Sequence, residues 1–312
     1  MRQPRLSTCA LPQEERGIRF SKPTRRVFGM ERNALTSMPM NWFQQRENAR
    51  RSHFYEIWEN SVPQVFQDVP AYYRKGNIVA SLGVWEIWVW QFVRSIILNP
   101  GDHVLDVAAG TNDLGLRLLK KQPDIYVTAV DRSRDMQRQG QVLAKRNQVR
   151  IESVIHDAHE LPFPDNSFDV VTLQAASRHL QLDKVFPEIY RVLKPNGRFY
   201  HCDMLRPTHR IVEWLYLRFL KISVALTAAA FGSSAAARNC GTYFSDAIHH
   251  FYTPDELSAV LGLCGFSKIH CRKSVWGGMV GFHAARKVVA ESPSSGGQPP
   301  EPAEDGCESR GV

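Results

Sequence analysis

The sequence predicts an α/β fold, with a seven-stranded, mostly parallel sheet covered by helices on both faces. Three observations carry this reading. Short apolar runs alternate with helical segments between residues 61 and 288, the pattern of strand–helix units. One run, His103–Ala108, leads through a small-residue turn into a helical segment. The last two runs are separated only by Lys273–Gly278, whose Gly277 and Gly278 suit a hairpin at the sheet's edge, so one strand should run antiparallel.

Taken in order, residues 1–60 lack sustained periodicity and are rich in arginine. Within residues 1–55, Arg2, Arg5, Arg16, Arg19, Lys22, Arg25, Arg26, Arg32, Arg46, Arg50 and Arg51 stand against only Glu14, Glu15, Glu31 and Glu47. This stretch reads as a basic, poorly ordered extension, a composition that favours anionic partners such as nucleic acid or an acidic membrane surface. The chain carries a formal net charge of +8. No apolar core of a secretory signal is visible. An organellar transit peptide or an over-extended start, with Met30 or Met38 as the initiator, fits the arginine-rich beginning equally well.

Strands are expected at His103–Ala108, Ile125–Val130, Val149–Ile155, Phe168–Leu173, Gly197–Asp203, Phe266–Cys271 and Met279–Ala284. Helices are expected between them at Asp113–Lys121, Ser133–Asn147, Leu182–Leu193 and Pro254–Cys264. Residues 205–245 read as a helical insertion, and residues 289–312, rich in Pro, Gly, Ser and acid, as a disordered tail. Six cysteines, none in a Cys-x-x-Cys pair, imply a reducing compartment and neither a disulfide framework nor a structural metal.

Ligands of open α/β sheets bind beyond the carboxyl ends of strands. Asp106, Gly110 and Thr111 lie where the first strand runs into its turn, with a helix N-terminus following. Asp131 ends the second strand about twenty residues on, where a carboxylate accepts from both hydroxyls of a ribose. Asp157 and Ala158 close the third strand, placed to meet an adenine amino group and ring nitrogen. Singly, each acid could merely cap a helix or a turn. Together they fit S-adenosylmethionine better than a nicotinamide dinucleotide, which needs room for pyrophosphate and a turn with more glycine than the lone Gly110.

Four stretches then resemble the ubiquinone/menaquinone biosynthesis C-methyltransferase (UbiE-type) family of class I, Rossmann-like methyltransferases. These are Tyr73–Trp88, Arg191–Asp203, Thr242–Leu257 and Gly277–Lys287, within a resemblance spanning Tyr72 to Lys287. The resemblance implies cofactor contacts at Thr111, Asp131, Asp157, Ala158 and Gln174. There are departures. The family's Gly-Thr-Gly-Asp turn reads Gly110-Thr111-Asn112-Asp113, its Tyr-Asp pair reads Tyr73-Arg74, and its Gly-Leu-Arg-Asn reads Ala176-Ser177-Arg178-His179.

What the resemblance implies is methylation of a ring carbon of a demethylated quinol, a lipophilic substrate. His179 is the candidate general base, direct or through one water, and Arg178 a stabiliser of the developing phenolate. His249, His250 and His283 are weaker candidates, His283 being placed as a core residue. The segment Ile211–Phe231 reaches membrane-span length. Arg210, Glu213, Arg218 and Lys221 nevertheless cluster within an arc of about 140° at 100° per residue, so it reads as an amphipathic helix, with Val212, Leu215, Phe219, Ile222 and Leu226 on the other side. That helix suits peripheral membrane contact, a substrate lid, or a partner in a homodimer. The expected location is the cytoplasm or the inner-membrane surface, or the mitochondrial matrix in a eukaryotic host.

Two other readings stay open: methylation of another amphipathic acceptor such as a phospholipid amine, and a non-catalytic S-adenosylmethionine-binding assembly subunit. A nucleic-acid substrate is not expected, because Gln174-Ala-Ala-Ser stands where amine-methylating enzymes carry Asn/Asp-Pro-Pro-Tyr.

Overall fold

The computed structural model describes residues 39–274 and 278–288. Helix α1 (Met40–Glu56) continues through a π-turn (Ile57–Ser61) into α2 (Val62–Asp68), and α3 (Tyr73–Ala80) and α4 (Val84–Ser95) follow. Then come β1 (His103–Val107), α5 (Asp113–Lys121), β2 (Tyr126–Asp131), α6 (Arg134–Arg146), β3 (Glu152–Ile155) and β4 (Phe168–Gln174). A 3₁₀ turn (Ser177–His179) precedes α7 (Leu182–Val192) and β5 (Leu193–Met204). Helices α8 (Arg210–Ala230), α9 (Ala235–His249) and α10 (Pro254–Leu263) lead to β6 (Ser267–Ser274) and β7 (Val280–Arg286).

The strands form one sheet in the order β3-β2-β1-β4-β5-β7-β6. The first five strands run parallel, and β7 lies antiparallel to both β5 and β6, as the sequence predicts. Alternation along each strand sorts the side chains onto two faces. Leu105, Val107, Val171, Leu173 and Phe199 pack under α7 and α10. Val104, Val127, Val170 and Tyr200 pack under α4 and α5. The strand order reverses between β1 and β4, and there the site lies.

Residues 40–60, expected to belong to a poorly ordered extension, are helical and packed. Phe43, Glu47, Arg50 and Phe54 recur at i, i+4, i+7 and i+11, and all four are buried. Burying Phe43 and Phe54 contributes roughly 1.5–3 kcal/mol each. Glu47 accepts from Arg50 (2.6 Å), from the Tyr252 hydroxyl (2.6 Å) and from the Leu182 amide (2.6 Å). Arg50 also donates to the Arg178 carbonyl at 3.0 Å, so the buried pair is tied to the loop after β4, with Arg50 Nε alone of its groups left without a partner among the described residues. The basic residues 1–38, the tail from 289 onward and Gly277 lie outside the described residues.

The insertion forms the α8–α9 hairpin. Tyr216, Leu220, Thr227 and Ala228 are the buried residues of α8. The apolar row faces outward: Leu215, Phe219, Ile222 and Leu226 are exposed, as are Ile211 and Trp214. Among the described residues no helix is long and apolar enough to cross a membrane.

Candidate cofactor and acceptor site

A cavity of about 390 Å³ opens at the carboxyl ends of β1, β2 and β4, within the range of small-molecule sites. An annex of about 40 Å³ adjoins it, sharing Tyr73, Ala108, Gly110, Gln174 and Ala175. The predicted residues converge here. Gly110, Asp131, Asp157, Ala158, Gln174 and His179 line the main cavity, while Asp106 and Thr111 line the annex.

The backbone around the cavity is unusual. Ala108, just past β1, and Ala175, just past β4, have φ of 52° and 57°, the left-handed region that disfavours a Cβ. Strain of this kind persists where the surroundings over-determine it, and it clusters at ligand sites. Gly110 shares the conformation (φ 55°), and its amide donates to Asp131 Oδ2 at 2.8 Å. The Ser133 amide donates to Asp131 Oδ1, also at 2.8 Å. The two amides fix the carboxylate and leave lone pairs for the hydroxyls of a ligand. Asp157 Oδ1 accepts from the His159 amide (2.8 Å) and ring (2.5 Å), and the His159 hydrogen bond is the first cause holding this carboxyl down at about 2.

Asn112, the departure within the turn, has φ 60°. Its side chain points away from the cavity into α6, where Gln137 Nε2 donates to Asn112 Oδ1 at 2.9 Å. Asp106 is 1% exposed; Oδ1 accepts from the Thr172 hydroxyl at 2.7 Å and Oδ2 has no partner. Burial pushes its pKa up to about 7. A buried carboxylate oxygen left without a donor is costly, and a cationic ligand group would satisfy it. Carboxylates for a ribose and an adenine, with an orphaned one for a cation, make a donor set that fits S-adenosylmethionine. Beside it, Arg74 reaches Glu86 at 2.9 Å rather than projecting alone, and Arg117 bridges Glu86 and Asp113.

On the acceptor side the two candidates part. Arg178 is buried and lines neither part of the cavity. Its guanidinium pairs with Asp203 and donates to the Ala175 carbonyl at 3.0 Å. It balances a buried acid and props the Ala175 turn from below, rather than facing a phenolate. His179 does face the cavity. Burial, with Arg178, Arg50 and Arg132 adding repulsion, holds its imidazole well below the ordinary range. His283 is a core residue, donating from Nε2 to the Pro254 carbonyl at 3.1 Å. His249 and His250 lie at the exposed end of α9, bound to Glu213 and Asp246.

The sequence reading missed the groups that close the cavity. Val62, Pro63, Phe66 and Gln67 of α2 roof it, with Tyr73 beside them. Phe66 also borders a cavity of about 280 Å³ lined by Val62, Val65, Cys240, Tyr243 and Phe244.

Comparison with known proteins agrees with this geometry. The profile of the ubiE/COQ5 methyltransferase family matches residues 55–287. The chain belongs to that family. Similar relatives include the demethylmenaquinone methyltransferase of Symbiobacterium thermophilum, 35% identical over 67% of this chain and 85% of the relative. That of Streptomyces avermitilis is 32% identical over 74% and 96%. The ubiquinone/menaquinone biosynthesis C-methyltransferase UbiE of Rickettsia bellii is 30% identical over 74% and 94%. As a member of the ubiE/COQ5 family the chain is a methyltransferase whose cofactor is S-adenosylmethionine.

Proposed function

We propose that this chain methylates a ring carbon of a demethylated menaquinol- or ubiquinol-type lipid. The meeting of two cavities at Phe66 carries the reading. Phe66 borders both the cavity that holds Asp131, Asp157 and His179 and a second cavity lined by Ile57, Val62, Val65, Tyr243 and Phe244. An acceptor ring beside His179 has room there to extend its tail, and the named activities of the relatives point the same way.

Bound S-adenosylmethionine supplies a methyl group on a sulfonium centre. In this reading Asp131 takes the ribose hydroxyls, Asp157 and Ala158 the adenine, and Gly110, Thr111 and Gln174 close around the remainder. Asp106 Oδ2 meets the ligand's positive charge. Phe66 and Tyr73 exclude water and hold the acceptor ring, and such positioning supplies several kcal/mol of the barrier. His179 faces the acceptor's oxygen.

The exposed row of α8 is the proposed contact with a membrane surface, peripheral rather than spanning. Arg218 and Lys221 flank Leu215, Phe219, Ile222 and Leu226 on the same exposed side, a composition suited to an anionic interface. A second copy seated on the row would show instead as a dimer without vesicles.

Incubation with labelled S-adenosylmethionine, demethylquinols and phospholipids tests the proposal. The label is expected in a quinol, and Asp131→Ala should abolish it. Label confined to phospholipid amines would overturn the quinol reading.

A further inference from the structure

His179 Nδ1 lies 2.5 Å from the Tyr243 hydroxyl, and that hydroxyl lies 2.9 Å from Trp58 Nε1. An indole N–H can only donate, so Tyr243 Oη accepts from Trp58. The hydroxyl's own proton then needs an acceptor. Of the hydrogen-bond partners that the described residues give this hydroxyl, His179 Nδ1 is the one able to accept it. All three side chains are buried. The neutral ring therefore carries its proton on Nε2, an atom buried without a partner, on a ring that lines the main cavity.

We infer that Trp58 and Tyr243 hold His179 as an Nε2–H donor aimed at the oxygen of the methyl acceptor, and not as a general base. The sequence reading made His179 the base; the relay reverses its polarity. A donor here stabilises negative charge on the oxygen next to the carbon that is methylated; the acceptor's hydroxyl proton goes to solvent and not to this ring, and the hydrogen of the methylated carbon is lost afterwards to solvent as that oxygen is reprotonated, which restores the aromatic quinol. The site consequently selects acceptors that present an anionic or carbonyl oxygen. A protonated amine, which has no lone pair for Nε2–H, is disfavoured. Tyr243 and Trp58 are positioning residues, the one on α9 and the other on the π-turn.

The inference rests on the acceptor reading above, but its test does not need an acceptor. Histidine-¹⁵N-labelled full-length protein, saturated with S-adenosylmethionine, is examined by long-range ¹H–¹⁵N spectra, with His179→Asn assigning the ring. A neutral Nε2–H tautomer that persists across neutral pH is expected. An Nδ1–H tautomer or an imidazolium would overturn the inference and leave the acceptor assignment standing; failure of the acceptor panel would leave the tautomer untouched. Tyr243→Phe should shift the ring toward Nδ1–H and lower kcat at least tenfold, with cofactor affinity within about twofold of wild type. An unchanged ring pattern in that variant would remove Tyr243 from the relay, whereas the wild-type spectrum decides the tautomer even if the variant does not fold.

Discussion

The side chain of Asn112 occupies the space that a Cβ on Gly140 would fill. A Cβ built there would lie 2.6 Å from Asn112 Nδ2 and 2.7 Å from Cγ, closer than real contacts allow. The left-handed turn residue and the helical glycine therefore form a lock between the cofactor turn and α6. Asn tolerates positive φ better than other non-glycine residues, and Gly140 supplies room for what glycine at position 112 would not need.

Gly140→Ala should cost about 1–3 kcal/mol through overpacking. Asn112→Gly should restore much of that loss in the double variant, giving a coupling energy of roughly 0.5–3 kcal/mol. Denaturant melts of the four proteins measure it, and strictly additive effects would refute the lock.

With Asp106 in its proposed place beside the cofactor's positive charge, cofactor binding should be linked to protons. Burial is the first cause of the rise of Asp106 to about 7, the Thr172 hydroxyl opposes it, and Asp131 and Asp113 add to it. A raised carboxyl is partly protonated near neutrality, and a cation at Oδ2 favours the ionised form. Binding should therefore release protons, and affinity should climb as pH rises through about 7 and level off above it. Calorimetry in two buffers of different ionisation heat detects the release; Asp106→Asn should abolish it.

The exposed row of α8 makes a separable prediction. Ile222 and Leu226 are 59% and 66% exposed, so replacing both with Glu should leave stability within about 0.5 kcal/mol per site. Each lost apolar insertion is worth about 1.5–3 kcal/mol, so sedimentation with anionic vesicles should fall at least tenfold. Undiminished binding would rule the row out as the contact.

A cluster at the end of α9 should respond to pH. Asp246 joins His53 of α1 at 2.9 Å and His250 at 3.5 Å, with Glu213 of α8 bound to neighbouring His249 at 2.7 Å. The His250 hydrogen bond is the first cause lowering Asp246 to about 2, and the Asp246 hydrogen bond is the first cause raising His250. The raised His250 contributes stability fully below its unfolded value of about 6.5, lost as pH rises through the folded value; the depressed Asp246 contributes above about 3.9, lost as pH falls towards about 2. The Asp246–His250 pair at the end of α9 should be tightest between those limits. Both side chains are over a third exposed, so the effect should stay under about 1 kcal/mol. Hydrogen exchange of the last turn of α9 should rise above neutrality, and Asp246→Asn should flatten that dependence.

The residues that line the cavity at the strand ends were legible in the sequence because each part is local. Asp106, Gly110 and Thr111 stand within six residues at the end of one strand and its turn, Asp131 ends the second strand, and Asp157 follows the third. Helix α1 was not legible because two of its four buried positions are charged, Glu47 and Arg50, which hides the apolar stripe. Which side of α8 packs inward was not legible for a related reason. Its inner face carries Tyr216, Thr227 and Ala228, while its most apolar row faces outward. The partners of His179 stand 64 residues away in Tyr243, itself 185 residues from Trp58. No spacing rule joins them, and only the packing of α9 over the π-turn does.

Helix α1 has a further consequence, one of timing. Its Glu47 waits for Tyr252, 205 residues later in the chain, and Arg46 waits for Glu256, 210 residues later. At roughly 5–20 residues per second of synthesis, α1 leaves the ribosome on the order of ten seconds or more before its partners exist. The Rossmann-like half can take shape meanwhile, but its roof can be fastened only when the last third of the chain has been made. During that interval Glu47 and Arg50 have only each other on α1, without the later residues that cover them in the folded protein.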